Sequence, residues 1–338
     1  MLMIGSAGKT RSRLQSVLFQ AKSEELVLSG YKRLISHLNL LNVRQAGTLF
    51  IGDKYRVGMK FREKMKNYFN TEIKSDVNFG DFNRTASKIN SWIKKKTSSE
   101  MHKMFYPSSF NVDTNMVLAS ALYFKGKWLV GFDPKRTFSK DFFVSSQEIV
   151  EAKMMSMSSV FSFAELKEDF DCSMSEIPFS GGRLVMQILL PNKKDGIYEL
   201  ERAVALKDIF STFKERKQWK KLNVLIPKLK TEVSLSLARY LKDLGLSSLF
   251  NPNLHPDFSP IDDSLSLHLD KVEQKISLEI SEEGDTVAVV TPPAADWEEE
   301  AEFVVDHPFL FYIRDKETGA SIVQGKISEP IVTSSILD

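Results

Sequence analysis

The sequence predicts a single α+β domain that spans residues 1–338. Residues 24–41 carry apolar side chains at the spacing of a surface helix: Tyr31, Leu34, Ile35 and Leu38. The dense apolar run within Asn115–Phe132 is typical of a strand that is buried on both faces. Towards the end of the chain, Phe309–Ile313 and Ile322–Ile327 flank a glycine-containing turn, which predicts a β-hairpin.

Composition narrows the class of protein. With 42% hydrophobic and 27% charged residues, the chain resembles an ordinary soluble globular protein. Its net charge of +2 argues against a dedicated nucleic-acid binder, which normally carries a strong basic excess. The single cysteine, Cys172, rules out an internal disulfide framework. No run of about 18 apolar residues predicts a membrane-spanning helix, and the first residues lack the features of a secretory signal.

Further elements follow from periodicity and turn residues. Additional helices are predicted over three segments: Lys60–Asn70, Asn83–Lys96 and Ser234–Gly245, the last with the stripe Leu237, Leu241 and Leu244 and with Gly245 as its C-cap. Additional strands are predicted over four segments: Thr48–Ile51, Glu176–Phe179, Leu184–Pro191 and Asn223–Lys230. Because Pro227 lies inside the last of these, that strand is expected at an edge or a bulge.

Three short motifs carry weak functional signals. Gly8-Lys9-Thr10 resembles part of a phosphate-binding loop, but Met3 stands where the motif needs a glycine, and a helix end with a glycine turn is the better interpretation. The run Lys94–Lys96 fits the C-terminal end of a helix, where cations favour the dipole; a glycosaminoglycan site is the less favoured alternative. Asn83-Arg84-Thr85 is a glycosylation acceptor sequence if the protein is secreted.

The segment 279–308 stands out from the rest of the chain. A strand-like apolar run ends at the acidic sequence Glu282-Glu283-Gly284. About twenty residues, with few side chains that could pack in a core, follow before the next apolar strand. Connections of this length are usually functional or disordered. A Glu-Glu-Gly hinge, a bait loop and a terminus of the form HPFLFYIR…TG…GK…P resemble the serpin family of protease inhibitors, and the other segments match serpin elements in order over nearly the whole chain.

The resemblance implies a serpin fold with three mixed or antiparallel sheets, surrounding helices and an exposed reactive loop over residues 285–305. It makes Asn115–Phe132 the third strand of the main sheet and places Trp128 where the bait loop first enters. The asparagine and histidine usual in the family are Ser120 and Gln274 here. The chain is expected to lack the family's first helix, first strand, most of the second helix and any signal peptide before them.

In the family, a protease cleaves the loop and is held as an acyl-enzyme while the loop inserts as a new sheet strand. Side chains of an inserted strand alternate in direction, so the resemblance places these residues inward: Asp285, Val287, Val289, Thr291 and Pro293. An unpaired carboxylate at the first position is costly to bury. Valine permits pairing but is bulkier than the usual alanine, whereas Pro292 and Pro293 each lack a ladder donor. Insertion is therefore expected to be slow or incomplete.

Three residues are candidates for the position that a protease would recognise at the cleaved bond. Counting forward from Gly284 gives Glu298 as the specificity residue, counting back from His307 gives Trp297, and Asp296 is a third candidate. Tryptophan suits the specificity pocket of a chymotrypsin-like or cathepsin-like protease, and the acidic residues suit a pocket that binds acidic side chains.

Two functions compete. The leading hypothesis is a serpin that presents a bait loop but traps proteases poorly or not at all; the alternative is a working suicide inhibitor of a serine or cysteine endopeptidase. An enzyme is not expected, because the sequence carries neither a nucleophile elbow nor a metal-spaced His/Cys cluster. No cofactor, metal, nucleic acid or membrane partner is expected. The resemblance favours an extracellular monomer, with a cytoplasmic location left open.

Overall fold

The structure is a computed structural model that describes residues 1–18, 21, 23–40, 43–97, 101, 103–285 and 300–330. These residues form two compact units. The first consists of the described residues of Met1–Phe124 and Glu232–Ser277, and the second of those of Lys125–Thr231 and Leu278–Asp338. Helices and strands occur in both, which confirms the α+β class.

The helices have the following bounds: α1 Gly8–Val17, α2 Glu24–Leu40, α3 Met59–Phe69, α4 Phe82–Lys96, α5 Lys167–Phe170, α6 Ile197–Leu206, α7 Ile209–Arg216 and α8 Ala238–Leu241. The three predicted helices of the N-terminal third are confirmed to within a residue or two. Asn70, which follows α3, adopts the left-handed conformation that often ends a helix. Asp81 caps α4 by accepting from the Arg84 backbone N–H.

The strands are β1 Arg44–Gly52, β2 Lys74–Val77, β3 Met116–Trp128, β4 Phe138–Phe143, β5 Ile149–Leu166, β6 Cys172–Pro178, β7 Leu184–Pro191, β8 Gln218–Pro227, β9 Leu229–Ser236, β10 Lys271–Gly284, β11 Glu300–Val304, β12 Phe309–Asp315 and β13 Ser321–Ile327. They form a five-stranded sheet, in the order β2-β1-β3-β10-β9, and an eight-stranded sheet. The latter has the path β11-β8-β5-β6-β7-β12-β13, with β4 beside β5. The long β5 pairs with β4 at one end and with β6 at the other, which joins two groups of strands into one sheet.

In the first unit, β1 and β3 are antiparallel, from the pair Arg44 and Tyr123 to the pair Ile51 and Met116. One face of this sheet packs with α4 around Phe50, Ile89 and Ile93, none of which is exposed. A separate apolar cluster joins Met1–Ile4, α3 and the segment that follows β9. Burial of these side chains is the main source of stability for the unit.

In the second unit, α6 and α7 pack on β6, β7 and β12 through Ile209, Phe213 and Met174. Cys172 belongs to the same cluster, and burial raises the pKa of its thiol to about 12. The hairpin β12–β13 is confirmed, with Gly319 at φ 72° in its turn. No helix among the described residues is long and apolar enough to cross a membrane.

Three expectations need correction. The strand predicted over Asn223–Lys230 is confirmed only up to Pro227, where β8 ends; β8 has β5 and β11 as neighbours, and Leu229 and Lys230 belong to β9 in the other sheet. The helix predicted over Ser234–Gly245 starts later, since residues up to Ser236 belong to β9; Ala238–Leu241 form α8, and Lys242–Leu246 continue it as a π-helical turn.

Pairing explains the shorter helix. The strand β9 lies beside β10, and the Leu237 N–H donates to the Val272 carbonyl, so ladder bonds override the helical stripe. Gly245 does take the left-handed backbone (φ 88°) predicted for a cap. The third correction concerns β3, which is buried along most of its length but exposes Lys125 and Lys127 at its C-terminal end, rather than being buried on both faces throughout.

Candidate functional site

Trp128, the last residue of β3, is the centre of the candidate site. Its side chain is completely buried in the second unit. The indole stacks on Phe179 with 4.6 Å between ring centroids and meets Phe132 edge-on at 5.7 Å. Its Nε1–H donates to the Ser281 carbonyl at 2.7 Å. The indole therefore fills an apolar space and also holds the start of the hinge through a buried hydrogen bond.

Backbone bonds continue this attachment on both sides of the hinge. The Phe132 N–H donates to the Glu282 carbonyl at 3.0 Å, and the Asp285 N–H donates to the Trp128 carbonyl at 2.9 Å. The turn after β3 and the end of β10 are thus joined along the whole hinge, up to the first residue of the predicted reactive loop.

Gly284 has a packing reason to be glycine. A Cβ built on it would lie 2.4 Å from the Gly131 Cα and 2.9 Å from the Trp128 carbonyl oxygen. Both neighbours are backbone atoms, which cannot rotate away as a flexible side chain would. The two glycines allow the two backbones to approach each other at a distance that no other residue permits.

Glu282 points to one side of the hinge. Its carboxylate binds Lys228 Nζ at 2.8 Å and accepts from Thr137 Oγ1 at 3.0 Å. Burial would raise the pKa of this carboxyl, but the hydrogen bonds and the charge of Lys228 outweigh it and lower the pKa overall. Glu282 therefore remains ionised at neutral pH and fixes the hinge to the segments after β8 and before β4.

Glu283 points the other way, towards two lysines of β3. It lies 2.8 Å from Lys127 Nζ and 3.3 Å from Lys125 Nζ, and Lys125 also binds Glu279 at 3.0 Å. The hydrogen bond from Lys127 lowers the pKa of Glu283, and the same bond raises the pKa of Lys127. These groups are more exposed than Glu282, so their attraction is weaker and sensitive to salt.

Asp285 is the last described residue before the loop. Its carboxylate accepts a hydrogen bond from Ser180 Oγ, in the turn between β6 and β7. The Ser180 N–H itself donates to the Lys127 carbonyl at 2.7 Å. The Asp285 side chain is half-buried, and its carboxyl group is hydrogen-bonded at the edge of the hinge.

These residues surround a depression of about 690 Å³. It is lined by Val130–Pro134, Lys228 and Ser281–Asp285. Among the residues that the structure describes, no three His, Cys, Asp or Glu side chains come together as a metal site requires. At this site, hydrogen bonds and ion pairs hold the end of β10 against the turn after β3 and against Lys228.

The far end of the predicted loop is also attached to the second unit. The strand β11 runs parallel to β8, from Glu300 beside Lys221 to Val304 beside Leu225. The buried His307 has Nδ1 2.9 Å from Asp306 Oδ1 and Nε2 2.8 Å from the Pro191 carbonyl. Burial would raise the pKa of Asp306, but the bond to His307 leads to a lower value overall.

The predicted site residues fall into three groups. Trp128, Glu282, Glu283, Gly284 and Asp285 come together as described. Two others lie in the first unit, half-buried, with Ser120 in β3 opposite Gly47 and Gln274 in β10. The remaining loop predictions lie outside the described residues: Val287, Val289, Thr291, Pro292, Pro293, Asp296, Trp297 and Glu298.

The peripheral predictions occupy surface positions of α4. Asn83 is exposed in the first turn of this helix, and Lys94–Lys96 are exposed in its last turn. That position agrees with the expected contribution of the lysines to the helix dipole.

Sequence reasoning missed the partners of the hinge: Gly131, Thr137, Ser180 and Lys228. Ser180 is 105 residues from Asp285 along the chain, and Thr137 is 145 residues from Glu282. No local pattern links residues so far apart. The one available signal was Gly131, a glycine inside the predicted strand Asn115–Phe132, which suggests a close approach of backbone.

Comparison with known proteins agrees with this architecture. The family model described as Serpin (serine protease inhibitor) matches residues 1–330. Rat (Rattus norvegicus) glia-derived nexin is 30% identical over 345 residues, which cover 98% of this chain and 84% of the relative. Human (Homo sapiens) serpin B4 is 28% identical over 309 residues, covering 89% of this chain and 78% of the relative.

A solved structure gives the same result. The crystal structure of native protease nexin-1 with heparin superposes with a TM-score of 0.87 at 26% identity, covering 97% of this chain and 89% of that one. The family match, the mixed helices and sheets and the hinge beside Trp128 agree, and the chain belongs to the serpin family.

Proposed function

We propose that this serpin presents residues 285–305 as a bait loop to a serine or cysteine endopeptidase and that it traps the protease poorly or not at all. Trapping in the family depends on insertion of the cleaved loop between β3 and β10, which are neighbours in the five-stranded sheet. The observation that carries the proposal is Asp285, an anion bonded to Ser180 at the position that must enter the sheet first.

The cost of moving Asp285 inward opposes insertion. The carboxylate would leave its hydrogen bond with Ser180 and its contact with water. Burying an unpaired carboxylate is expensive, and removing a hydrogen bond to a charged group costs about 1.5–3 kcal/mol in addition. A loop that inserts more slowly than the acyl-enzyme hydrolyses is released as an ordinary cleaved substrate.

The two prolines add a second obstacle. Pro292 and Pro293 have no backbone N–H to donate to a neighbouring strand. Because consecutive residues of a strand donate to opposite neighbours, the inserted strand would lose one ladder bond to each of its two partner strands. The prolines act later than Asp285, because the hinge end of the loop enters first.

A functional suicide inhibitor is the second candidate, and the intact hinge favours it. Gly284 packs closely against Gly131, Trp128 holds Ser281, and Glu282 binds Lys228, so the entry point for a new strand is well ordered. In this case Val287 and Val289, which are good strand formers, would offset part of the cost of Asp285.

The remaining features of the proposal follow from the family. We expect no enzyme activity, no cofactor, no nucleic-acid or membrane partner, and an extracellular monomer that can be glycosylated at the exposed Asn83. Heparin is present in the protease nexin-1 structure. Glycosaminoglycan binding by Lys94–Lys96 is the less favoured alternative here, because three lysines in one helix turn also satisfy the helix dipole.

Denaturing gels after incubation with proteases test the proposal. The test uses chymotrypsin-like and cathepsin-like proteases for Trp297, and proteases that prefer acidic residues for Asp296 and Glu298. At neutral pH we expect the loop to be cleaved without a complex that survives denaturation. A stable complex in good yield with the unmodified chain would contradict the proposal.

A gain-of-function variant makes the same test sharper. Replacing the obstacles together, by Asp285→Thr, Pro292→Ala and Pro293→Ala, should raise the yield of stable complex at least tenfold, since about 1.4 kcal/mol off the insertion barrier gives that factor. The matched control is Thr286→Ala, which changes a loop residue on the opposite face of the inserted strand and should leave the yield unchanged.

A further inference from the structure

Trp219 is an exposed aromatic residue on the strand next to the end of the predicted reactive loop. It is the second residue of β8, and it is 55% exposed to solvent. We propose that Trp219 forms a second contact with the endopeptidase that cleaves the loop, outside the active-site cleft of that enzyme. This inference rests on the proposed function, because it takes residues 285–305 as a bait loop.

The exposure of Trp219 is unusual for its residue type. Tryptophan is highly buried on average, and it is enriched among the residues that carry most of the energy of protein–protein contacts. The other tryptophans that the structure describes, Trp92 and Trp128, are half-buried and fully buried. Covering the Trp219 ring with a partner would remove a large apolar area from water, which favours association.

Trp219 lies on a well-packed part of the sheet. The strand β8 pairs antiparallel with β5 along its whole length, and Trp219 lies opposite Ser162. The next residue, Lys220, has its Nζ 5.6 Å from the centroid of the Phe163 ring, which in turn meets Phe303 of β11 at 6.0 Å. These contacts hold the start of β8 in place, so little backbone freedom would be lost when a partner binds there.

The strand register places Trp219 beside the first residue of β11. This strand runs parallel to β8, and Glu300 pairs with Lys221. Trp219 precedes Lys221 by two residues, so its Cα lies about 8 Å from that of Glu300, towards the N-terminal end of both strands. A chain spans at most about 3.6 Å per residue. The Cα atoms of Glu298 and Asp296 therefore lie within about 15 and 22 Å, respectively, of the Trp219 Cα.

A bound protease is wide enough to reach this position. Protease–inhibitor interfaces cover about 800 Å² on each partner, which corresponds to a patch with a radius of about 16 Å. Centred on the cleaved bond, such a patch includes Trp219 for cleavage at Glu298. For cleavage at Trp297 or Asp296, it includes Trp219 when the chain before Glu300 falls about 3 to 6 Å short of full extension.

The charges near Trp219 favour an apolar contact over an ionic one. Lys220 and Lys221 follow it in β8, but Glu298–Glu300 carry three negative charges in the stretch of chain that leads into β11. At the distance of a partner, opposite charges this close together largely cancel and are screened by salt. The partner is therefore a serine or cysteine endopeptidase with an apolar surface patch beside the part of its cleft that binds residues after the cleaved bond.

Cleavage kinetics of the full chain test the contact. A protease that cuts the loop is chosen from those named above, and the rate of cutting is measured against serpin concentration at neutral pH. Trp219→Ala should raise KM about tenfold and leave kcat unchanged, because the contact is present in the bound substrate and in the transition state alike. Trp219→Phe should recover most of the affinity. The effect of Trp219→Ala should persist at high salt.

Two controls separate the contact from a change in the fold. Tyr198 is 69% exposed on α6, which packs on β6, β7 and β12, so Tyr198→Ala should leave KM unchanged. The thermal midpoint of Trp219→Ala should equal that of the unmodified chain, because an exposed ring contributes little to folding. An unchanged KM in Trp219→Ala, or an equal increase in Tyr198→Ala, would overturn the contact.

The outcomes also separate this inference from the proposed function. If none of the proteases cuts within residues 285–305, both are wrong. If the loop is cut and Trp219→Ala has the KM of the unmodified chain, the contact is wrong and the bait loop stands. If a stable complex forms, poor trapping is wrong, and the contact predicts that Trp219→Ala lowers the rate constant for complex formation about tenfold.

Discussion

At the scale of single residues, the pair Gly284 and Gly131 determines how closely the hinge approaches the turn after β3. The distance of 2.4 Å from a Cβ on residue 284 to the Gly131 Cα leaves no room for a side chain. The hydrogen bonds from Phe132 to Glu282 and from Asp285 to Trp128 depend on this approach. Glycine here is needed for a short contact between two backbones, since its own φ is not in the left-handed region.

The first prediction concerns this contact. Gly284→Ala should decrease the free energy of unfolding by about 1–3 kcal/mol, because an added methyl group forces the two backbones apart. Denaturant unfolding measures the change. Gly30→Ala is the control: Gly30 lies within α2, no atom lies within 4 Å of a Cβ built on it, and the substitution should stabilise the protein by about 0.5–1 kcal/mol. Equal effects of the two substitutions would contradict the proposed contact.

At the scale of elements, the hairpin β12–β13 is closed by Asp315. Its buried carboxylate binds Arg183 through two hydrogen bonds, at 2.9 and 2.7 Å, and accepts from the Glu317 N–H and the Thr318 hydroxyl. The bond from Arg183 is the largest reason that the pKa of Asp315 falls to about 2. One side chain thus holds the turn and attaches the hairpin to the loop before β7.

A pH-dependent stability follows from this shift. The folded-state pKa is below the ordinary value of 3.8, so the carboxylate stabilises the fold above pH 4, and this contribution is lost as the pH falls towards 2. Asp315→Asn should cost about 2 kcal/mol at pH 7, and the difference from the unmodified protein should shrink as the pH falls below 4 and be lost below about pH 2. Denaturant unfolding at several pH values checks this.

The control for Asp315 is its neighbour in the same turn. Glu317 also binds Arg183, at 2.9 Å, but its side chain is 66% exposed. An exposed ion pair contributes less than about 1 kcal/mol, so Glu317→Gln should have a small effect at every pH. A loss as large as that of Asp315→Asn would show that charge, rather than the bonds within the turn, stabilises the hairpin.

The same elements show what can be read from sequence. The helices α2, α3 and α4 were predicted to within one or two residues because each has an apolar stripe and clear ends. The end of β8 and the start of α8 were not, because pairing between β9 and β10 is a long-range effect that local propensity does not contain.

Only part of the candidate site could be predicted from the sequence. The hinge residues Glu282–Gly284 and Trp128 were recognisable from a motif. Their partners Ser180, Thr137 and Lys228 were not, because each lies on a different segment and meets the hinge only after folding. The sequence does not specify which lysine binds which glutamate.

At the scale of the whole molecule, the five-stranded sheet has β3 directly beside β10. The end of β10 is bonded to the end of β3 through Trp128 and Asp285. Adding the loop as a new strand would break these bonds and form a larger set of ladder bonds along its length. The proposed function expects the charge of Asp285 and the two prolines, Pro292 and Pro293, to oppose this exchange.

Thermal unfolding before and after cleavage of the loop tests the proposed function most directly. The protein is nicked at pH 7.5 by proteases that cut at different points between residues 285 and 305, and the midpoint is compared with that of the intact chain. The proposed function predicts a change within about 2 °C, roughly the shift that 1 kcal/mol produces in a chain of this size. A large increase in the midpoint would show that the loop inserts at neutral pH despite Asp285, Pro292 and Pro293, and it would contradict the proposed obstacle and favour the inhibitor.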